Sequence, residues 1–282
     1  MRRCLSSAGQ VPIAQRAGTI AVALMTTLIT WADNSRAEQI DDPNSQKYGW
    51  REVWGGADAT KDVWLLYTGV TLAPLSKDIY SDGLRFRVNS GYGQYQYVGR
   101  EATCDALAVF DCNTKIKVDV TYTDALIGYH MRLGELTAKA FAGASIISHD
   151  FGRHQTKKSV QGVDIGATAG LEFWLNLGKD GWTSLDLQYT TAHDTGSARW
   201  RAGWRVIPAL SIGPEVRFDT NATQNAGRIG AFARYDWIGG EISVAGGLAQ
   251  EVCRFDDVLC ENDGGDDKEI SPYVTINLLS QF

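Results

Sequence analysis

Between positions 161 and 177 every second residue is apolar. Val163, Ile165, Ala167, Ala169, Leu171, Phe173, Leu175 and Leu177 fall on one side, and Gly162, Asp164, Gly166, Thr168, Gly170, Glu172, Trp174 and Asn176 on the other. A period of two is the period of a β-strand. Sandwich strands run to about 5–6 residues. A ribbon of this length instead suits a tilted strand crossing hydrocarbon, which takes about 9–11 residues.

Four further stretches repeat the pattern. Leu185, Leu187 and Tyr189 oppose Ser184, Asp186 and Gln188, and Trp200, Ala202, Trp204 and Val206 oppose Arg199, Arg201, Gly203 and Arg205. Leu210, Ile212, Pro214, Val216 and Phe218 oppose Ser211, Gly213, Glu215, Arg217 and Asp219. Ile229, Ala231, Ala233, Tyr235 and Trp237 oppose Arg228, Gly230, Phe232, Arg234 and Asp236. One face is apolar and the other carries charge and glycine, so an all-β antiparallel transmembrane barrel is expected, with the apolar face in lipid and the charged face in the lumen.

Runs of this kind lie at 62–73, 84–98, 115–132, 136–148, 160–177, 182–193, 197–207, 210–219, 226–238, 240–252 and 270–282. Short connections at 133–136, 177–181, 207–210 and 237–240, with a longer one at 74–83, alternate with more polar ones at 99–114, 149–159, 192–197, 220–226 and 254–268. Tight turns on one side and larger loops on the other are the outer-membrane pattern. Parity requires an even number of strands. The segment 48–57 (YGWREVWGGA), joined through a hairpin at 58–61, supplies the missing one, giving about 12. The final strand alternates to the last residue, and Phe282 is the terminal aromatic that the barrel assembly machinery reads. A closed wall leaves no edge, so this strand is expected to pair with the first.

The N-terminus reads as a signal peptide over 1–37. Arg2 and Arg3 precede an apolar stretch at 17–31, and Ser35-Arg36-Ala37 supplies small residues for cleavage. A periplasmic segment (38–47) and the barrel (48–282) follow. Removing four arginines and Asp33 with the signal leaves 23 basic against 32 acidic residues, a net charge of −9. That balance, without a basic cluster, argues against nucleic acid as a partner. Of the five cysteines, Cys4 leaves with the signal. Cys104 with Cys112 and Cys253 with Cys260 form two close pairs, read as local disulfides of an oxidising compartment.

The stretch 53–97, VWGGADATKDVWLLYTGVTLAPLSKDIYSDGLRFRVNSGYGQYQY, carries a Gly-Gly strand end, an aromatic-Thr-Gly strand and the glycine-tyrosine run Gly91-Tyr92-Gly93-Gln94-Tyr95-Gln96-Tyr97. It resembles the BcsS family of barrel proteins associated with bacterial cellulose biosynthesis. The resemblance implies an outer-membrane location and a role in cellulose production or export. It supplies no catalytic residues.

Catalytic and metal readings find little support. None of His130, His149, His154 and His193 stands in the Ser–His arrangement of barrel hydrolases. His193-Asp194-Thr195-Gly196-Ser197 and His149-Asp150 read as solvated loop residues. The acidic stretch 256–267 lacks EF-hand order and reads as a solvated loop, with divalent bridging to lipopolysaccharide as the minor alternative. No metal or other cofactor is expected. The candidate functional residues are therefore the inward charges: Arg199, Arg201, Arg205, Glu215, Arg217, Arg228, Arg234 and Asp236, with Asp164, Glu172 and Asp186 on preceding strands. They either fill a narrow lumen as ion pairs or line a pore. In this register the aromatics that point inward are Trp174, Phe232 and Tyr273. That set is small for a glucan channel, which stacks sugars on aromatics.

The expected function is that of a non-enzymatic outer-membrane barrel accessory to cellulose or exopolysaccharide export. A small-solute porin or structural barrel and a lipid-modifying barrel hydrolase are the alternatives. Expected partners are outer-membrane lipid and lipopolysaccharide, the assembly machinery, and either cellulose synthase components or the glucan.

Overall fold

The computed structural model describes residues 49–76, 78–100, 113–152, 161–222, 224–253 and 270–282. The signal peptide, the 38–47 segment, His154, the acidic loop and the side chains of Cys104, Cys112, Cys253 and Cys260 lie outside the described residues.

Twelve strands form one closed antiparallel barrel in sequence order. They are β1 (Arg51–Ala59), β2 (Val63–Leu72), β3 (Gly83–Arg100), β4 (Asn113–Leu133), β5 (Leu136–Asp150) and β6 (Gly162–Leu177), then β7 (Gly181–Thr190), β8 (Thr195–Ile207), β9 (Leu210–Thr220), β10 (Gln224–Trp237), β11 (Gly240–Cys253) and β12 (Ile270–Gln281). The one 3-10 turn among the described residues, Ala192–Asp194, joins β7 to β8.

Closure is made by β1 and β12, from Glu52 opposite Gln281 to Ala59 opposite Val274. Phe282 extends the seam: Arg51 N donates to its carbonyl at 3.1 Å, and its own N–H donates to Arg51 O at 3.0 Å. The Arg51 guanidinium lies 5.1 Å from the Phe282 ring centroid. The C-terminal aromatic thus caps the closing pair, and no edge remains.

Strand alternation sorts side chains as the period of two requires. Val163, Ile165, Phe218 and Ile229 point outward and are 61–70% exposed, whereas Glu215, Thr275 and Asp124 point inward and are 1–4% exposed. A wall with a greasy outer face and a charged, buried inner face inverts a water-soluble protein. Hydrocarbon is the solvent that suits it, and the chain is a membrane-spanning barrel of the outer-membrane type.

Strand ends shift by up to three residues from the sequence reading, and two of the shifts bear on the interior. The first hairpin turn is not 58–61: β1 continues through Asp58 and Ala59, which pair with β2 and β12. Likewise β8 begins at Thr195, two residues before the alternating run suggests.

Candidate functional site: the barrel interior

The interior is organised in three tiers between the tight-turn mouth and the loop mouth. At the turn side, the connection from β2 to β3 folds inward. Ala73 and Ile79 are fully buried. Ala73 N donates to Trp50 O at 2.8 Å and Ile79 N to Gly49 O at 3.0 Å. Arg85, on β3, donates to Ile79 O at 2.7 Å and also to Ser81 O, and the buried His130 of β4 lies against the same Ile79 carbonyl at 3.1 Å. Gln281 donates to the Tyr80 hydroxyl at 2.8 Å. Burial raises the pKa of that phenol, so Tyr80 stays neutral here. The strap from Ala73 to Asp82 is therefore an internal cap tied to β3, β4 and β12.

Above it lies an aromatic tier. Trp174 and Trp182 stack with ring centroids 4.1 Å apart and planes 18° apart, and Phe232 packs on Trp182 at 5.3 Å. Trp182 Nε1 donates to Ser211 Oγ at 3.2 Å. The guanidinium of Arg234 sits 4.7 Å from the Trp174 centroid, a cation–π contact.

The sequence register counts too few aromatics inward. Trp54, Tyr67, Tyr95, Tyr122, Phe141 and Trp182 share the inner face with Trp174, Phe232 and Tyr273, as their pairings with Gly69, Gly56, Val118, Gly91, Gly128 and Gly203 require. Several lie flat on a glycine of the neighbouring strand: a Cβ on Gly203 would collide with the Trp182 indole, and one on Gly91 with the Tyr122 ring. In the glycine-tyrosine run of β3, Gly91 is thus wall space for the Tyr122 ring of the next strand, while Gly93 faces Leu65 of β2. Phe141, Trp182, Phe232 and Tyr273 are buried, and Trp54, Tyr67, Tyr95, Tyr122 and Trp174 are half-buried, so the inner wall offers few open ring faces on which sugars could stack.

The third tier is charged. On one side Glu172 accepts from Arg87 of β3 and lies 3.5 Å from Lys139 of β5. On the other, Asp58 of β1 accepts from Arg217 of β9 at 2.9 Å and from Arg228 of β10 at 2.5 Å, and Asp219 lies 2.9 Å from Arg217. Arg199 pairs with Asp186 at 3.0 Å; at the turn side, beside Trp174 and the β10–β11 turn, Arg234 pairs with Asp236 at 2.7 Å and with Glu241 at 2.5 Å. Glu215 accepts from Tyr273 at 3.4 Å. Arg201 turns its guanidinium toward the Trp182 and Phe232 rings, with centroids at 5.8 and 5.7 Å.

Two candidate residues stand apart from these clusters. A register shift between Arg205 and Ile207 puts Arg205 at the turn-side rim, where it donates to Lys179 O at 2.9 Å. Asp164 lies at the loop mouth and accepts from His193 N at 2.9 Å. The loop-mouth histidines are not solvated, contrary to the sequence reading. His193 and His149 are 8% and 6% exposed with rings 4.8 Å apart, and His149 meets the Tyr95 hydroxyl at 3.0 Å. Sequence spacing gave no sign of this, because the imidazoles arrive from β5 and from the β7–β8 connection.

A cavity of about 1090 Å³ lies against the loop-side half of β6 to β12; the inward residues on its wall include Gly170, Gln188, Ser197, Asp219, Arg228 and Ala249. Small side chains at Gly170 and Ala249 leave this space, and Gln188 reaches across it to Asp124 at 3.1 Å.

Comparison with known proteins gives this barrel its affiliation. The family model described as cellulose biosynthesis protein BcsS matches residues 53–277, nearly the whole described barrel. The chain belongs to the BcsS family. The sequence matches no curated protein. Among solved structures the BcsS-family chain is similar to the KdgM porin (8% identity, TM-score 0.44, covering 82% of this chain and 99% of that one). It is also similar to the COG4313 outer membrane channel from Pseudomonas putida F1 (10%, 0.40, 86% and 100%) and to the transport unit of the autotransporter AIDA-I from Escherichia coli (15%, 0.40, 94% and 98%). At such low TM-scores these likenesses go no further than a shared barrel form.

Proposed function

We propose that this BcsS-family barrel serves cellulose or related exopolysaccharide export as a non-enzymatic accessory of the outer membrane, presenting a cavity on the loop side while its turn-side mouth is held shut. The observation that carries this reading is the internal cap, in which buried Arg85 fastens the Ile79 and Ser81 carbonyls below a tier of stacked aromatics. A polysaccharide conduit needs free aromatic faces along an open path; here most inward rings rest on the wall or on one another, and a tied strap lies at the turn-side mouth. Contact with secretion components or with the emerging glucan, through the loop-side face, accords with that geometry better than passage of the polymer through this lumen.

A strain lacking the protein is the test. Reduced or mislocalised cellulose, restored by the wild-type chain, supports the accessory role, and normal cellulose output rejects it. A small-solute pore is the second reading, favoured by the arginines of β8 to β10. Steady conductance of the purified wild-type barrel in planar bilayers would establish it in place of the capped form. Unchanged lipid A and phospholipid profiles in the same strain dispose of a lipid-modifying hydrolase.

A further inference from the structure

The described inward arginines are compensated, with one exception. Arg87, Arg199, Arg217, Arg228 and Arg234 each reach a carboxylate within 4 Å. Arg85 and Arg205 are held by backbone carbonyls. Arg201 has neither: its Nε is buried without a hydrogen-bond partner, and the residue is 8% exposed. Directly across the β7–β8 pair stands Ser184, 4% exposed, whose Oγ is likewise unpartnered. Glu215 opposes Arg201 on β9 but makes no ion pair with it, and takes the Tyr273 hydroxyl instead. A buried guanidinium without a counter-ion is strongly unfavourable, and two orphaned donors on neighbouring strands ask for a shared acceptor.

We propose that Arg201 and Ser184 form a binding site for a carboxylate, either a free small carboxylate or one carried on an acidic sugar. A monoanion meets less repulsion from the neighbouring buried Glu215 than a dianion would. The planar guanidinium fork matches a carboxylate in geometry, and the hydroxyl donates a further bond to the same group. The Trp182 and Phe232 rings form an apolar side from which water is excluded, which strengthens the interaction. The loop-side cavity lies next to the site along β8, where the inward residues run from Ser197, on its wall, through Arg199 to Arg201. The inference does not depend on the secretion role, since binding is read on the purified barrel alone.

The experiment uses the mature barrel purified in detergent micelles in buffer free of small carboxylates, titrated with sodium acetate, sodium glucuronate or glucose. Binding is followed by calorimetry and by the fluorescence of the Trp174–Trp182 stack. The expected result is saturable acetate or glucuronate binding, lost in Arg201→Gln, weakened about tenfold or more in Ser184→Ala, and unaffected in kind by Arg199→Gln. Glu215→Gln, which removes the nearest competing carboxylate in the register, tightens it. Equal affinity for acetate and glucuronate identifies a free carboxylate as sufficient; a clear preference for glucuronate assigns the sugar as the carrier. Heat-modifiable migration on unboiled gels verifies that each variant is folded. Absence of saturable binding in the wild type, equal binding by folded Arg201→Gln, or a glucose response matching glucuronate overturns the site.

Discussion

Arg228 on β10 donates to Asp58 on β1 at 2.5 Å, joining strands that lie 170 residues apart in sequence and are separated in the wall by β11 and β12. Arg217 reaches the same carboxylate oxygen, and Thr275 donates to the other at 3.1 Å. One buried acid therefore braces the interior across the closing seam.

Removing that acid leaves the buried Arg228 and the half-buried Arg217 each short of a partner. Asp58→Ala is expected to cost about 3–5 kcal/mol, the range for breaking a buried pair from one side. Urea unfolding in lipid vesicles measures it. Adding Arg228→Gln to the variant is expected to recover part of the loss; a fully additive double variant would show that the contact carries no coupling.

The internal cap predicts a mostly silent barrel. Deleting residues 76–81, or changing Arg85 to Ala, removes the ties between the strap and the wall and should produce single-channel conductance well above that of the wild type. Planar-bilayer recording decides. A wild type that already conducts like the deletion variant refutes the cap.

The two faces of one wall should respond oppositely to polar substitution. Ile229→Arg places a charge in hydrocarbon at a residue 63% exposed, expected to cost about 2–4 kcal/mol near the bilayer midplane. Ser197→Gln projects into the loop-side cavity and should stay within about 0.5 kcal/mol of wild type. Similar losses at both positions would contradict the assignment of faces.

Gly203 is the seat of the Trp182 indole. Gly203→Ala drives a methyl into that ring and should cost about 1–3 kcal/mol, with a changed near-ultraviolet circular dichroism signal from the Trp174–Trp182 stack. An unaltered spectrum together with unaltered stability would mean that the ring does not lie on the glycine.

The class of fold was legible from alternation alone. In β6 and in β8 to β10 the charged positions alternate strictly with apolar ones, so the two faces of each ribbon follow from the sequence. The family resemblance, read on 53–97, agrees with the family model over 53–277. The early strands were less plain. Asp58 follows two glycines and an alanine and precedes Ala-Thr-Lys, a stretch that reads as a turn, so nothing local marks it as the interior anchor. The inward aromatics of β1 to β5 were missed for a related reason: glycine, serine and tyrosine on both faces blur the contrast that reveals a register.

Amino-acid order by itself determined the ribbons, the faces of β6 and of β8 to β10, and the number needed to close the wall, because strand period and hydrocarbon thickness act on each segment separately. The tertiary structure alone decided which charge meets which, that the Ala73–Asp82 strap turns inward, and that Arg201 is left over. Those outcomes depend on inter-strand register and on closure, which bring together hydrogen-bonded side chains as much as 229 positions apart, and alternation carries no information about such distances.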